Sequence, residues 1–493
     1  MPKAIFCDIV RSCFMQWRRR VSRIMRRNGG TSAIRSIMRF HSICPFVRGL
    51  LVVPVALLVG AATGLAQAGS PAGPVPVQYL EARRAALLDR MGTGVAILRS
   101  TDQRSIEAEG AHPQDSDFRQ DNDFFYLTGL ETAGSWLVLV ARDSAPDQEI
   151  LYLPPRDTLA ERWTGPALGP GPEAAALTVI EDTRSNAEAE RDIRRLVLRP
   201  NSPARSGGLY ISRGERESDI PLFRELVFSP SVSRTPPVVS DLRPLVAAGR
   251  LVKDADELRR LRRAIDITAE AERAAMRVIR PGMWEYEIEA VIEATFRRSG
   301  AERVGFPSII GAGTNATVLH YDKSRGQSEG GDLVVMDIGA EFGYYTADVT
   351  RTVPVTGTFT ERQRALYELV LATQQAAIDS VRPGVTTQDL NRIARVYMRE
   401  HSGELCQPGT CDRYFVHGAS HWLGMDVHDV GDYGTPFAEG MVLTVEPGIY
   451  IPEQRIGIRI EDDVLVTARG HELLSAGAPR KPQDIEALMR ETR

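Results

Sequence analysis

The sequence predicts an α/β domain followed by an α+β domain, and two observations carry that prediction. In the first half, short β-type runs alternate with helical stretches, the pattern of a sheet with helices packed on it. In the second half, long amphipathic helices give way to strand after strand, and acidic residues stand at the ends of the apolar runs. The 493-residue length favours two or more domains, and 43% hydrophobic residues suffice for each to bury a core.

Taken in order, residues 69–76 (GSPAGPVP) form a Pro/Gly-rich leader. Strands are then expected at VAIL (95–98), SWLVLVA (135–141), EILYLP (149–154) and GLYIS (208–212). An N-terminal domain spans 77–235, and the polar, Pro-containing stretch 229–244 reads as a linker. The second domain covers 246–493. Within it, DADE at 254–257 has capping-box spacing, with aspartate capping a helix that runs to about Ile279. Pro281 and Gly282 end that helix, and another is expected from about Glu285 to Arg298, stopped by Gly300. The pattern then turns to β in LVVMDIG, YYTADVTRTV, MVLTVEPGIYI and IGIRIEDDVLVT, interrupted by two helices within 361–400.

The N-terminus reads as an address. Residues 49–66 are almost wholly apolar, Arg39 and Arg48 precede them, and Ala66, Gln67 and Ala68 have the small-x-small pattern of a cleavage site. Residues 38–68 make a complete signal peptide, which leaves 1–37 as an upstream extension. The expectation is cleavage near Ala68 and export to the periplasm or beyond. The alternative is an anchor at 49–68, since a membrane span needs roughly 20 apolar residues. Pro54, Gly60 and Gly64 weaken that alternative. Of five cysteines, only Cys406 and Cys411 survive cleavage. They bracket a Gln-Pro-Gly-Thr turn and read as either a disulfide or two free surface thiols. A net charge of -4 gives no reason to expect a nucleic-acid partner.

The anomaly lies in the acids. Asp337 ends the run LVVM, where an unpaired carboxylate is costly to bury. Asp348 follows YYTA at a spacing that suits two strands of one hairpin, with Gly339 and Gly343 in the turn. Glu446 and Glu461 close two further apolar runs. One such acid is ordinarily a turn or cap residue. Four of them repel one another unless protonated or neutralised by cations. Three of the eight histidines, His417, His421 and His428, crowd into HGASHWLGMDVHD (417–429), while His320 stands alone in VLHY. One imidazole with four carboxylates is a hard, oxygen-rich donor set, suited to a pair of divalent ions.

These residues resemble the pita-bread metallopeptidases, specifically the Xaa-Pro aminopeptidases, over nearly all of 77–475. The N-terminal part is similar through FRQDNDFFYLTG (118–129) and PRDTLAERWTGPALG (155–169). The second part carries LHYD, DIGAEFGYYTADVTRT, HGASHWLGMDVHD, LTVEPGIY and GIRIEDD in the family's order. The resemblance implies an α/β N-terminal domain and an α+β pita-bread domain with Asp337, Asp348, His421, Glu446 and Glu461 as metal ligands. It also implies that Asp348 and Glu461 bridge two ions, manganese first, with cobalt, iron or zinc as alternatives. Glu446 then moves protons, His320 and His428 steady the scissile carbonyl, His417 lines a proline pocket and Arg459 orients ligand and substrate. The implied partners are peptides with proline at position two and further copies of the chain, as a dimer or tetramer. The chain departs from the family at Asp322, in a short stretch after Tyr450, and in its N-terminal extension.

Two rival readings share this pattern. A prolidase, which cleaves only Xaa-Pro dipeptides, uses the same metal ligands. A non-catalytic peptide-binding relative would have lost some of them, and all five are present here. SHW at 420–422 and DVH at 426–428 resemble the aminopeptidase form.

Overall fold

The computed structural model describes residues 70–102, 118–199, 201–212, 221–228 and 237–491. All belong to one compact unit, Ala66–Arg493. The signal peptide or anchor expected within 38–68, and the extension 1–37, lie outside the described residues. Among the described residues, no helix is long and apolar enough to cross a membrane.

The N-terminal part is a sheet between two layers of helices. Helix α1 (Val77–Met91) leads to β1 (Gly94–Arg99), α2 (Asn122–Thr128), β2 (Trp136–Ala141), β3 (Gln148–Leu153) and α3 (Pro172–Thr178). Then come β4 (Asp182–Ser185), α4 (Ala189–Leu198), β5 (Leu209–Ile211), α5 (Pro221–Phe228) and β6 (Val239–Asp241). The strand order is β4-β3-β2-β1-β5-β6, antiparallel at the centre and parallel towards both edges. Strands β1 and β2 and the second half of β3 are apolar because both faces are covered there, while the edge strands β4 and β6 are polar and half-buried. Ala96, Leu98, Leu137, Leu139 and Leu151 pack with α1 and α2, while Val95, Ile97, Val138, Val140 and Ile150 pack with α4 and α5.

The linker expected at 229–244 is a correction. Val239–Asp241 pairs in parallel with β5 and completes the sheet. Helix α6 (Arg243–Arg250) starts immediately after it, with Pro244 in the first turn, where a missing N–H costs nothing. Three strand residues are too few to show an alternating pattern, so sequence reading passes over them.

The C-terminal part opens with the expected helix pair. Helix α7 (Ala255–Val278) begins at Asp254, whose side chain accepts from the N–H groups of Asp256 and Glu257. Glu257 returns the bond to the Asp254 N–H, closing the capping box. Helix α8 (Glu285–Arg298) follows. Then come β7 (Arg303–Val304), β8 (Ile309–Ala312), β9 (Leu333–Ile338), β10 (Ala340–Phe342), β11 (Tyr345–Thr346) and β12 (Val349–Pro354). Strand β9 is the centre of a β8-β9-β12 sheet. The simple hairpin expected between Asp337 and Asp348 contains a second, smaller one. Strands β10 and β11 leave the main sheet and pair with each other, β10 also pairing with β7, and the turn between them is at Gly343 and Tyr344, both with positive φ. The Tyr344 ring stacks on Phe125 of α2 at 3.8 Å, which holds its left-handed backbone in place.

After α9 (Glu361–Ile378) and α10 (Thr387–Glu400), the chain forms β13 (Val442–Val445), β14 (Gly448–Ile451), β15 (Ile456–Arg459), β16 (Asp462–Thr467), β17 (Gly470–Leu473) and finally α11 (Pro482–Arg490). Strands β13–β16 and β14–β15 are two lengths of one antiparallel ribbon, interrupted between Val445↔Asp462 and Gly448↔Arg459. Pro447 lies in the gap and has no N–H to give to a ladder. The N–H of Glu446 donates instead to Ala419 at 3.0 Å, and that of Glu461 to Thr350 at 3.1 Å. The amide nitrogen of Gln374, on α9, fills the gap from behind, 3.0 Å from the carbonyls of Val445 and Ile460. Gln374→Leu removes that donor and leaves buried acceptors unpaired. The expected loss is about 2 kcal/mol of unfolding free energy in a urea titration. An unchanged midpoint would show that the gap needs no plug.

Candidate metal centre and active-site cleft

Each acid singled out in the sequence sits where a strand ends or changes partner. Asp337 lies in β9, opposite Thr350 of β12, and Asp348 immediately precedes β12. Glu446 stands between β13 and β14, and Glu461 between β15 and β16. A strand that trades one neighbour for another bends there and turns a side chain out of the pleat. All four project into one cleft of about 430 Å³, together with His320, His417, His421, His428 and Arg459. Every predicted site residue is therefore brought to the same cavity.

The distances within it are short. Nε2 of His421 lies 3.3 Å from Asp348, 3.4 Å from Glu446 and 3.9 Å from Glu461. Asp348, His421 and Glu461 offer ligand atoms within 4.8 Å of one another. Nδ1 of His421 donates to the Trp422 carbonyl at 3.0 Å, which fixes the tautomer and turns Nε2 towards the acids. Asp337 pairs with Arg459 Nη2. Glu461 accepts from the Thr350 hydroxyl at 2.6 Å, and Arg459 Nε donates to that same hydroxyl at 3.0 Å.

Burial and mutual repulsion dominate the electrostatics. The Asp348 carboxyl is pushed well above the usual carboxylate range, first by burial, then by Asp337, Asp463 and Glu446. Glu461 is driven up in the same way, by burial and then Asp348, Glu446 and Asp337. Burial is also the largest influence raising Glu446, against the pull of His421 and Arg459. One oxygen each of Asp337 and Asp348 is buried without a hydrogen-bond partner. Orphaned, converging carboxylate oxygens beside an imidazole lone pair are what a site for divalent ions provides, so the donor set fits.

Beside Arg459 stand two uncharged rings, Tyr450 and His417. Arg459 Nη1 donates to the Tyr450 hydroxyl at 2.9 Å, which lies 2.8 Å from Nε2 of His417, whose Nδ1 faces the Gly418 carbonyl at 2.7 Å. Burial, then Arg459, brings the His417 pKa down to about 4, so this imidazole is uncharged at neutral pH. His428 is lowered as well, by burial and by the neighbouring His421 and His320 rings. The His428 ring stands 4.5 Å from His421 and 6.5 Å from His320.

Sequence reading missed three site residues, Thr350, Tyr450 and Thr444, whose hydroxyl accepts from the His421 N–H at 3.2 Å and donates to Glu446 at 3.4 Å. A signal for the two threonines exists, since each stands two positions from a predicted acid and so on the same strand face. Nothing local marks Tyr450, whose partners come from two other segments.

With this geometry in place, comparison with known proteins is informative. Residues 259–468 match metallopeptidase family M24, and residues 80–202 match the aminopeptidase P N-terminal domain. The chain is 36% identical to a Xaa-Pro aminopeptidase of Escherichia coli over 84% of its own length and 97% of that protein's. It is 35% identical to a Xaa-Pro aminopeptidase of Haemophilus influenzae, covering 98% of it. Among solved structures, proline aminopeptidase P II from Yersinia pestis is 37% identical with a TM-score of 0.74, over 85% of this chain and all of that one. Aminopeptidase P from E. coli with the inhibitor Pro-Leu is 35% identical, also with a TM-score of 0.74 and the same coverage. On the strength of these matches along nearly whole relatives, the chain belongs to metallopeptidase family M24, in the aminopeptidase P group.

Proposed function

We propose that this chain is a metal-dependent aminopeptidase that hydrolyses the bond between the first residue of a peptide and a proline at position two. The observation that carries the proposal is the convergence of four carboxylates and His421 on a cleft walled by His320, His417, His428 and Arg459.

Asp337, Asp348, His421, Glu446 and Glu461 would hold two divalent ions, which when bound supply Lewis-acid activation of water and carbonyl. Glu446, its carboxyl raised by burial, is suited to take a proton from the attacking water and deliver one to the departing proline nitrogen. His320 and His428 face the same space, and their ring N–H groups can meet the charge developing on the carbonyl oxygen. His417 and Tyr450 present a flat, uncharged surface for the pyrrolidine ring. Arg459 fixes both walls, since it holds Asp337 on one side and Tyr450 on the other.

Proline at position two follows from this design. The Xaa-Pro bond is a tertiary amide without an N–H. Peptidases that need that donor handle it poorly, whereas a site built from ions, imidazoles and a ring-shaped wall does not use it. Manganese is our choice of metal on the hardness of the donors. We also assign the chain to an exported, oligomeric enzyme. Export is supported by the apolar segment 49–66 with its Ala66-Gln67-Ala68 ending, and by the buried Cys406–Cys411 disulfide, which displaces the free-thiol alternative. Sequencing the N-terminus of the secreted fraction should find Gly69 or a close neighbour, and an intact Met38 would rule cleavage out.

A peptide panel varying position two, run with added manganese, should show cleavage of Xaa-Pro tripeptides and little of their alanine counterparts. Activity confined to dipeptides would instead make the enzyme a prolidase. On the preferred tripeptide, Glu446→Ala should cut turnover by about a thousandfold while thermal unfolding remains cooperative. Near-normal turnover would remove Glu446 from proton transfer.

A stability measurement tests the donor set without assaying activity. Asp348 and Glu461 have folded-state pKa values raised above their ordinary 3.8 and 4.5. A raised value means the folded state holds protons that the unfolded state has released. The stabilisation is present below those ordinary values and is lost as pH rises through the raised ones. Metal-stripped protein should therefore lose melting temperature progressively above about pH 4.5, and manganese should restore it most at the alkaline end. Parallel curves with and without metal would separate the acids from ion binding.

A further inference from the structure

The segment FRQDNDFFYLTG (118–129) takes no part in the chemistry above, yet its polar side chains reach the loop that carries His428. Arg119 Nη2 donates to the Met425 carbonyl at 3.0 Å, and Asn122 Nδ2 approaches the same oxygen at 3.5 Å. Asp123, in the first turn of α2, accepts from Arg250 Nη1 at 2.7 Å. The second arm of that guanidinium, Nη2, reaches Asp426 at 2.9 Å and Asp429 at 2.6 Å. Those two acids stand two residues before His428 and one after it. Lys253 Nζ takes the other Asp429 oxygen at 3.0 Å. A Cβ at Gly424 would come within 2.0 Å of that oxygen, so the loop closes only on glycine there.

Such a network is a poor way to gain stability, because buried charges lose their hydration before they gain each other. Arg250, Lys253 and Asp429 are nevertheless 5% exposed or less. What the network specifies is geometry. Residues 424–430 belong to no helix or strand, so no backbone ladder sets their course. Backbone bonds help at three points, Gly424 N to Asp426 O at 3.2 Å, Asp429 N to Trp422 O at 3.0 Å and Thr346 N to Gly424 O at 2.9 Å. The side-chain clamps on Met425, Asp426 and Asp429 bracket the histidine from both sides. Arg119 is itself anchored, with Nε 2.8 Å from Glu341 of β10.

We propose that residues 119–123, acting directly and through Arg250, form a positioning device that holds the His428 imidazole over the acid cluster. The N-terminal domain then acts on the cleft from behind its lining. The proposal rests on the functional reading above, in which His428 meets the reacting carbonyl. Arg119, Asp123, Arg250 and Asp426 are positioning residues, since their action on substrate passes through His428.

The test uses the full-length, metal-loaded protein with an Xaa-Pro tripeptide. Asp426→Asn and Arg119→Met are each measured alone and combined with His428→Ala. Asp426 is 47% exposed at its side chain, and asparagine keeps its shape, so this variant should fold even if Arg119→Met does not. Alone, each should lower kcat by about tenfold with KM nearly unchanged, the effect of a displaced catalytic group. With His428 already removed, each should add less than about twofold, because coupled residues are not additive. Equal losses in both backgrounds, or no loss in either, would overturn the proposal. A second readout needs no turnover: with diamagnetic zinc in place of manganese, the ring resonance of His428, recognised by its disappearance in His428→Ala, should move in Asp426→Asn while that of His471 stays. A stationary His428 resonance would count decisively against a positioning role. Wild-type protein inactive on every Xaa-Pro peptide would overturn the functional reading instead, leaving the resonance to decide this inference.

Discussion

Repulsion among four carboxylates in one buried cleft is the constraint around which this fold is organised. Two unit charges about 4 Å apart interact by roughly 4 kcal/mol at an effective dielectric near 20, and each of these acids has several such neighbours. The protein answers with few positive groups. Arg459 pairs with Asp337, and the Thr350 hydroxyl donates to Glu461. His421, its Nδ1 engaged by the Trp422 carbonyl, turns Nε2 towards the cluster as one more ligand atom. The remaining deficit is left to divalent ions.

Holding like charges together demands a backbone that cannot relax away from them. Arg351, fully buried, donates to the carbonyls of Thr350 and Glu461 and pairs with Asp462 at 2.7 Å, tying β12 to β16 behind the ligands. Gln374 reaches the same region from helix α9. The N-terminal domain contributes in turn, because its core does not stop at the domain edge. Leu80, Leu87 and Phe124 share a cluster with Leu423, Met425 and Val442 from the segments flanking the cleft. The two domains are thus joined by apolar packing as well as by the ion network around Arg250.

Much of this was legible in the sequence, and the limits have physical causes. Strands β1, β2 and β3 announced themselves as apolar runs because both faces are covered. Helix α7 was marked by its capping box. The acids were conspicuous because a carboxylate after four apolar residues is expensive unless something compensates it. What the sequence concealed was long-range partnership. Arg250 and Asp429 lie 179 positions apart, and Arg351 and Asp462 are separated by 111, so no local pattern links them. The β10–β11 excursion was hidden for a related reason, since the same spacing between Asp337 and Asp348 serves a plain hairpin equally well. Strand β6 was simply too short.

The break at Pro447 bears on how a substrate is held. With the Glu446 and Glu461 amides already engaged by Ala419 and Thr350, neither is available to a visiting peptide, so it cannot dock at that spot as an added strand. At that spot no backbone N–H is free to read its carbonyls, so recognition there falls to the side chains of the cleft. The acceptors that a substrate N–H would need there, the carbonyls of Val445 and Ile460, are already filled by Gln374, so the group that proline lacks has no partner at that spot.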